Sequence, residues 1–536
     1  MRTPPLLAAA ALALALGAGC SRETNVARGD REQVLYRGVG YEVATLDPQL
    51  ATGIAEQTIL SSLFEGLVDE DPRDLHPIPG VAESWDVTPD GRVYTFRLRD
   101  ARWSDGRPVT ARDFVESWRR ILTPSLGAEN ASFLYILQGA EAFNRGLTRD
   151  FSTVGVEATD DRTLRVTLDH ATPDFLARLT HWAWLPVPVA VIAAHGPVAE
   201  RGGNTWAEAG NLVGNGAFVL RRWRPDQEIV VEKSPTYWAA ARVRLQAIHF
   251  LPIDSVDAEE QAFRAGQLHL TDALPDGKID AYRRDAPQLL RIDPYLDTYY
   301  YLINVRRPFL GDARIRRALA LAVDRRAIVD RILRGGQQPA ESFTPPGLAG
   351  YDPPKVLRTD DDAARRLLAE AGHPNGEGLP VFELLYNNSE NHRLIAEAVQ
   401  EAWRKELGVQ VRLSNEEFKT VLEARRTGDF DIMRANWVAD YPDPSTFLDL
   451  WRSDSGNNFS GWSDPDYDSL IFAAEHTSDP DARRGLFERA ERLLLSEVPM
   501  IPVYHYTHVF LIRPSVRGWY PNPLDHHPYS DVWLEP

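Results

Sequence analysis

Cysteine is almost absent from this chain: there is one, Cys20, among 536 residues. A single cysteine excludes an internal disulfide framework and any site built from several thiolates. A long block of Lys and Arg is also missing, and the formal net charge is −18. Phosphate backbones are gripped by basic surfaces, so the composition points away from nucleic acid. After residue 20 no run of eighteen apolar residues occurs, so nothing later reads as a membrane-spanning helix. Catalytic signatures are missing too. There is no His-Glu-x-x-His pair for zinc, no Gly-x-Ser-x-Gly nucleophile elbow and no phosphate-cradling P-loop. His505, His508, His526 and His527 gather near the C-terminus. A metal site needs ligands converging in a set geometry, which spacing alone does not supply, and His526-His527-Pro528 reads as a surface loop. No metal, cofactor or catalytic residue is expected.

What the chain does have begins with an export signal. Arg2 supplies a positive start, Leu6 to Leu16 is an unbroken run of Leu and Ala, and small residues Gly17, Ala18 and Gly19 precede Cys20. The run is too short to span a bilayer and has the parts of a secretory signal peptide over residues 1–19. The position of Cys20 resembles a bacterial lipobox, although Gly17 stands where leucine is usual. The resemblance implies lipidation of Cys20 and anchoring to a bacterial membrane by its acyl chains. Cleavage to an unlipidated periplasmic product is the alternative. Residues 20–35 are polar and read as a tether.

The remainder is too long for one core and suggests two or three lobes. Tyr94, Phe96 and Leu98 alternate with polar residues after a Pro89-Asp90-Gly91 turn, which is a half-buried strand. Leu164, Val166 and Leu168 repeat the pattern, as do Val409, Val411 and Leu413. Asp312 caps a helix with an apolar face of Ile315, Leu319, Ala322 and Val323, predicted to run to Gly335-Gly336. Ile395, Val399 and Ala402 share a face of another, closed by Gly408. The order is mixed α and β, with helices covering sheets.

Several stretches go beyond generic pattern. Leu46-Asp47-Pro48, Phe64-Glu65-Gly66-Leu67, Ala82-Glu83-Ser84-Trp85, Trp103-Ser104-Asp105-Gly106, Ser117-Trp118, Asn215-Gly216-Ala217-Phe218 and Ser234-Pro235-Thr236-Tyr237-Trp238 occur in this order. Arg316-Arg317-Ala318-Leu319 and Ala439-Asp440-Tyr441 follow them. Together they resemble the solute-binding proteins that serve peptide and nickel ABC importers, over residues 35 to 536. That resemblance implies an α/β, three-lobed periplasmic binding protein of the type II, peptide-binding class, with two jaws closing over the ligand. Lobe I would hold residues 36–64, 188–292 and 507–536, an extra lobe II residues 65–187, and lobe III residues 293–506. It further implies a monomeric receptor without catalysis, with short peptides as ligand and the permease and ATPase subunits of an importer as partners. Dipeptides, cell-wall peptide, nickel complexes and haem are alternative ligands on the same fold. An exported peptidase is the alternative of another class.

Capturing a peptide of any sequence means holding what all peptides share. Strand-like hydrogen bonds satisfy the backbone, a fixed carboxylate pairs the ammonium, and cationic groups pair the carboxylate. The resemblance gives Asp440 the ammonium, and Asn436, Trp437 and Val438 the strand beside the peptide. Relatives often carry glycine where Asn436 stands, so its side chain narrows the groove. Arg425, Arg434 and His392 match positions that serve the carboxylate end, where a guanidinium fork suits two-point binding. Phe418 matches an aromatic wall, and Tyr295 and Tyr504 match ligand-side positions.

Overall fold

A computed structural model describes residues 23–536. Cys20 and the signal segment 1–19 lie outside the described residues, in which no helix is long and apolar enough to cross a membrane. The first sheet has four strands in the order Val34–Gly38, Ala247–Leu251, Glu228–Lys233 and Phe218–Arg224. A second four-stranded sheet, all antiparallel, comes wholly from residues 82–167. Its strand Val93–Leu98 buries Tyr94, Phe96 and Leu98, as side chains alternating across a pleat require. Gly91 turns the chain before it in the left-handed region, φ +68°. Thr110 and Asp113 cap each other's backbone at the start of the helix Ala111–Leu122. Trp103 and Trp118 are completely buried, and the Trp118 indole donates to the Trp184 carbonyl (3.0 Å).

The third sheet has six strands, ordered Gln338–Pro339, Met500–Leu511, Leu290–Ile303, Ile432–Val438, Phe382–Asn387 and Val411–Glu416. The helix Glu390–Leu407 buries Ile395, Val399, Trp403 and Leu407 in the same core as Leu384, Ile432 and Met433, and ends at left-handed Gly408. Two expectations need correction. The helix capped by Asp312 stops at Leu321, because Asp324 caps a separate turn that continues as a π-helical segment, Ile328–Leu333. Most of the expected tether is also folded. Asn25–Glu32 is a helix capped by the Thr24 hydroxyl and docked by Val26 N–H to the Gly266 carbonyl (3.0 Å) and Gln33 Nε2 to the Leu534 carbonyl (2.6 Å).

The first two sheets share one continuous apolar core, while the six-stranded sheet has its own. Two neighbouring antiparallel strands join the two. Leu290–Ile303 starts beside a small cluster that includes Tyr36, Phe263 and Leu511, and finishes with Tyr299–Ile303 in the second large core. Met500–Leu511 makes the reverse passage, and the pairing slips register between Pro294 and Thr298, where the strands leave one body for the other.

Candidate functional site

The strand Ile432–Val438 lies against Leu290–Ile303, with Val438 opposite Asp297, Asn436 opposite Tyr299 and Arg434 opposite Tyr301. Residues two apart share a face, so Arg434, Asn436 and Val438 form one row. Ala439 continues the contact through its N–H to the Leu296 carbonyl (2.8 Å), and Asp440 follows, its own N–H bonded to the Thr446 hydroxyl (3.1 Å).

Val438, Ala439 and Asp440 form one wall of a cavity of about 360 Å³, with Tyr295 beside them. Thr52, Ile54 and Gln57, at the start of the helix Ile54–Leu63, contribute another wall from the body that holds the first sheet. Residues 524–530, Asp69 and Glu70 line it as well, with Arg37, Glu65, Trp182 and Tyr237 among the others. The volume falls within the range of small-ligand sites.

Asp440 is half-buried and has no ion-pair partner among the described residues. The nearby Arg178 guanidinium is engaged by Asp174 (2.6 Å) and lies 4.3 Å from the centre of the Tyr441 ring. Burial pushes the Asp440 carboxyl up to about 6, against the pull of Arg178 and Thr446. A carboxylate short of partners in a cavity wall can accept hydrogen bonds from a cationic group.

The other expected residues divide into three sets. Arg434, His392 and Tyr504 gather around Tyr299. The Arg434 guanidinium lies 4.9 Å from the Tyr299 ring centre and donates to the Tyr506 hydroxyl (2.9 Å). The Tyr504 ring stacks on Tyr299 at 4.9 Å and the His392 ring sits at 5.5 Å. Burial, aided by the Arg434 charge, lowers the His392 imidazole to about 3. At neutral pH His392 is therefore uncharged and offers a hydrogen bond, not the cation expected of it. Arg425 and Phe418 share the helix Phe418–Thr427, where Arg425 lies 4.8 Å from the Phe459 ring and Phe418 is 55% exposed. Trp437 does not face the cavity. It packs on the core of the six-stranded sheet, and its indole N–H donates to the Thr446 carbonyl (2.6 Å), because the alternation that aims Asn436 and Val438 one way aims Trp437 the other.

The C-terminal histidines correct a further expectation. His526-His527 is part of the cavity wall and not a surface loop. Gln57 donates to His526 Nε2 (2.5 Å), which leaves Nδ1–H for Glu70 (2.7 Å). His527 bonds Asp525 (2.8 Å) and stacks on Trp519 at 3.8 Å. His508 pairs with the same Asp525 carboxylate (3.1 Å), which outweighs the effect of burial and holds it up at about 9. His505 bonds the Thr298 hydroxyl (2.9 Å). These rings are matched to carboxylates and a hydroxyl, and do not converge on one point. Thr52 and Gln57 are not singled out by sequence reasoning, and His526 reads there as part of a loop, because the three meet only through contacts between distant parts of the chain.

Residues 76–459 match the model of the bacterial extracellular solute-binding proteins, family 5 middle. The chain is 38% identical to the periplasmic oligopeptide-binding protein OppA of Escherichia coli strain K12, over 97% of this chain and 96% of that protein. The solved structure of the Escherichia coli murein tripeptide binding protein MppA superposes with a TM-score of 0.81 at 36% identity, covering 94% of this chain and 98% of that one. Haemophilus influenzae OppA in complex with RPPGFSPFR gives 0.80 at 32% identity, covering 94% and 99%. The architecture is thus the mixed α/β fold of the type II periplasmic binding proteins, and the chain belongs to family 5 of the bacterial extracellular solute-binding proteins.

Proposed function

We propose that this protein is a periplasmic receptor that captures short peptides by closure of two lobes and delivers them to an ABC importer, with no catalytic step. The observation that carries the reading is Asp440: a half-buried carboxylate with no ion-pair partner among the described residues, in a cavity whose walls come from both bodies. Contacts on both walls exist together only in the closed state, so a ligand that makes them shifts the population toward closure. The paired strands Leu290–Ile303 and Met500–Leu511 are the hinge, and the register slip beside Pro294 is where they flex. Lobe I is assigned to 36–64, 188–292 and 507–536, lobe II to 65–187 and lobe III to 293–506, with the first two moving as one body because their core is continuous. Cys20 carries the lipid that holds a monomeric receptor at the membrane.

Native mass spectrometry of the protein as purified from its periplasm tests the reading. Co-purifying peptides of a few residues are the expected result, and a single haem or nickel species in their place overturns it. Acidity supplies an independent check. An ammonium ligand lowers the Asp440 pKa from its ligand-free value of about 6. Affinity is therefore lost as pH falls below about 6, where the free carboxyl takes up a proton that binding must expel. It is lost again above about 8, where the peptide's α-amino group gives up its charge. Calorimetry from pH 4.5 to 9 is expected to give this bell. A flat acid limb removes Asp440 from the ammonium site.

A further inference from the structure

The two bodies also meet away from the paired strands that join them. The short helix Phe175–Arg178 is anchored in the core of the first two sheets by Phe175 and Leu179. It brings Asp174 and Arg178 against residues 441–449, whose Phe447 and Leu448 belong to the core of the six-stranded sheet. Within its own body Asp174 pairs with Arg178 at 2.6 Å, and within the other Asp443 pairs with Arg483 at 2.9 Å. The polar contacts that cross between the bodies here are longer. Arg483 reaches Asp174 at 3.5 Å, and Arg178 reaches Asp449 at 3.9 Å. The Ser445 hydroxyl lies 3.4 Å from both the Asp174 carboxylate and the Arg178 guanidinium. That guanidinium also covers the Tyr441 ring, whose hydroxyl is 3.1 Å from that of Ser445. Asp174, Asp443, Ser445 and Arg483 are all buried. Beside them the His170 and His476 rings stack across the same boundary at 4.5 Å.

Each body carries its own neutral pair, so parting them strands no charge and loses only the longer contacts. Across the boundary the signs alternate, Asp174 against Arg483 and Arg178 against Asp449, so closure is attractive. A buried boundary of this kind comes apart and re-forms without an unpaired charge at any stage. It also grips the site from behind. Tyr441 follows Asp440 directly, and the Asp440 N–H is tied to Thr446, the neighbour of Ser445. We propose that Asp174 and Arg178 are positioning residues that latch the two bodies together and hold the loop bearing Asp440, so that bound ligand is released slowly. The inference rests on the peptide-receptor reading. Neither residue lines the cavity, and both act through Tyr441 and Ser445. Ligand enters while the bodies are apart, so the latch governs release and not capture.

Stopped-flow tryptophan fluorescence with unblocked alanine peptides, from dialanine to hexaalanine, tests this by reading association and release separately. Asp174→Asn/Arg178→Met removes the pair of one body, and Asp443→Asn/Arg483→Met that of the other, and neither leaves a charge stranded. Either double variant is expected to release peptide at least about tenfold faster, with association changed by less than about threefold. The combination of all four changes is expected to release little faster than either double variant, because one contact underlies both effects. Damage confined to each body would add instead. Arg178→Lys keeps the charge and gives up the reach to Ser445 and Tyr441, and is expected to speed release to a smaller extent. Unchanged release in Arg178→Lys and in whichever double variants fold, or effects that add in full, overturns the latch and leaves the receptor reading intact. Failure of the wild-type protein to bind any of these peptides overturns both.

Discussion

Asp440→Asn is expected to weaken peptide binding by about 10²–10⁴-fold at pH 7.5 while leaving the fold intact. The size follows from what the change strands. A peptide ammonium entering the cavity gives up water, and Asp440 has no ion-pair partner among the described residues, whereas Glu70 holds His526 and Asp525 holds His508 and His527. Removing one partner of such a pair costs roughly 3–5 kcal/mol, of which most is the penalty on the charge left behind. Acetylating the peptide's amine removes the other partner. In a cycle of the two changes the second loss should be much smaller than the first, because one interaction underlies both. The same variant should stabilise the empty protein. Burial raises the Asp440 pKa from 3.8 to about 6. The folded state therefore holds the proton more tightly than the unfolded chain, a stability fully present below pH 3.8 and lost as pH rises through about 6. At pH 7.5 asparagine removes that cost, worth on the order of 1–2 kcal/mol once solvent screening of a half-exposed group is allowed for. Unchanged affinity, or a variant that loses affinity and stability together, would remove Asp440 from the site.

Legibility in the sequence followed the range of the interactions. Val93–Leu98 and Glu390–Leu407 were readable because period and cap are local. The Asp312 helix was drawn too long because nothing in its apolar spacing shows that Asp324 starts a new turn. The helix Asn25–Glu32 was missed because its docking runs through hydrogen bonds to Gly266 and Leu534, not through an apolar face. In the site, Asp440 is named by its match beside Tyr441, whereas its lack of an ion-pair partner among the described residues follows from how distant segments pack. Gln57 and His526 meet across 469 positions of sequence. No window of sequence contains that contact, and a His-His-Pro tripeptide has the composition of a loop. Trp437 failed for a different reason: the resemblance fixed its position, but only the strand pairing fixes which face it takes.

Asp47→Ala is expected to be the most damaging substitution for stability, costing roughly 3–5 kcal/mol, the range for breaking a buried ion pair. Asp47 lies in the Leu46-Asp47-Pro48 stretch by which the family was first visible, and the reason for an aspartate there is physical. Its side chain and that of Arg120 are 4% and 3% exposed. The guanidinium grips both oxygens, at 2.7 and 3.1 Å, while Trp206 Nε1 (3.1 Å) and Gln49 N–H (3.0 Å) fill the remaining acceptor sites. Arg120 is likewise held by Gln49 Oε1 (2.8 Å) and the Val198 carbonyl (2.6 Å). Alanine leaves a buried guanidinium without its counter-charge. Replacing both residues with apolar side chains of similar bulk, Asp47→Leu with Arg120→Met, should cost less than the single change, which separates the stranded charge from the value of the pair itself. Urea denaturation of the three variants reads this directly, and a double variant as unstable as Asp47→Ala would contradict it. The residue also reaches function. The Asp47 carbonyl accepts from the N–H groups of Leu50 and Ala51, both at 3.0 Å, and so sets the turn that carries Thr52 and Ile54 into the cavity wall. Because Asp47 touches no ligand, any affinity lost by Asp47→Ala under conditions where it remains folded measures how far the cavity depends on that turn. The effect should appear as faster release of bound peptide, since the wall that closes over it is the one left loose.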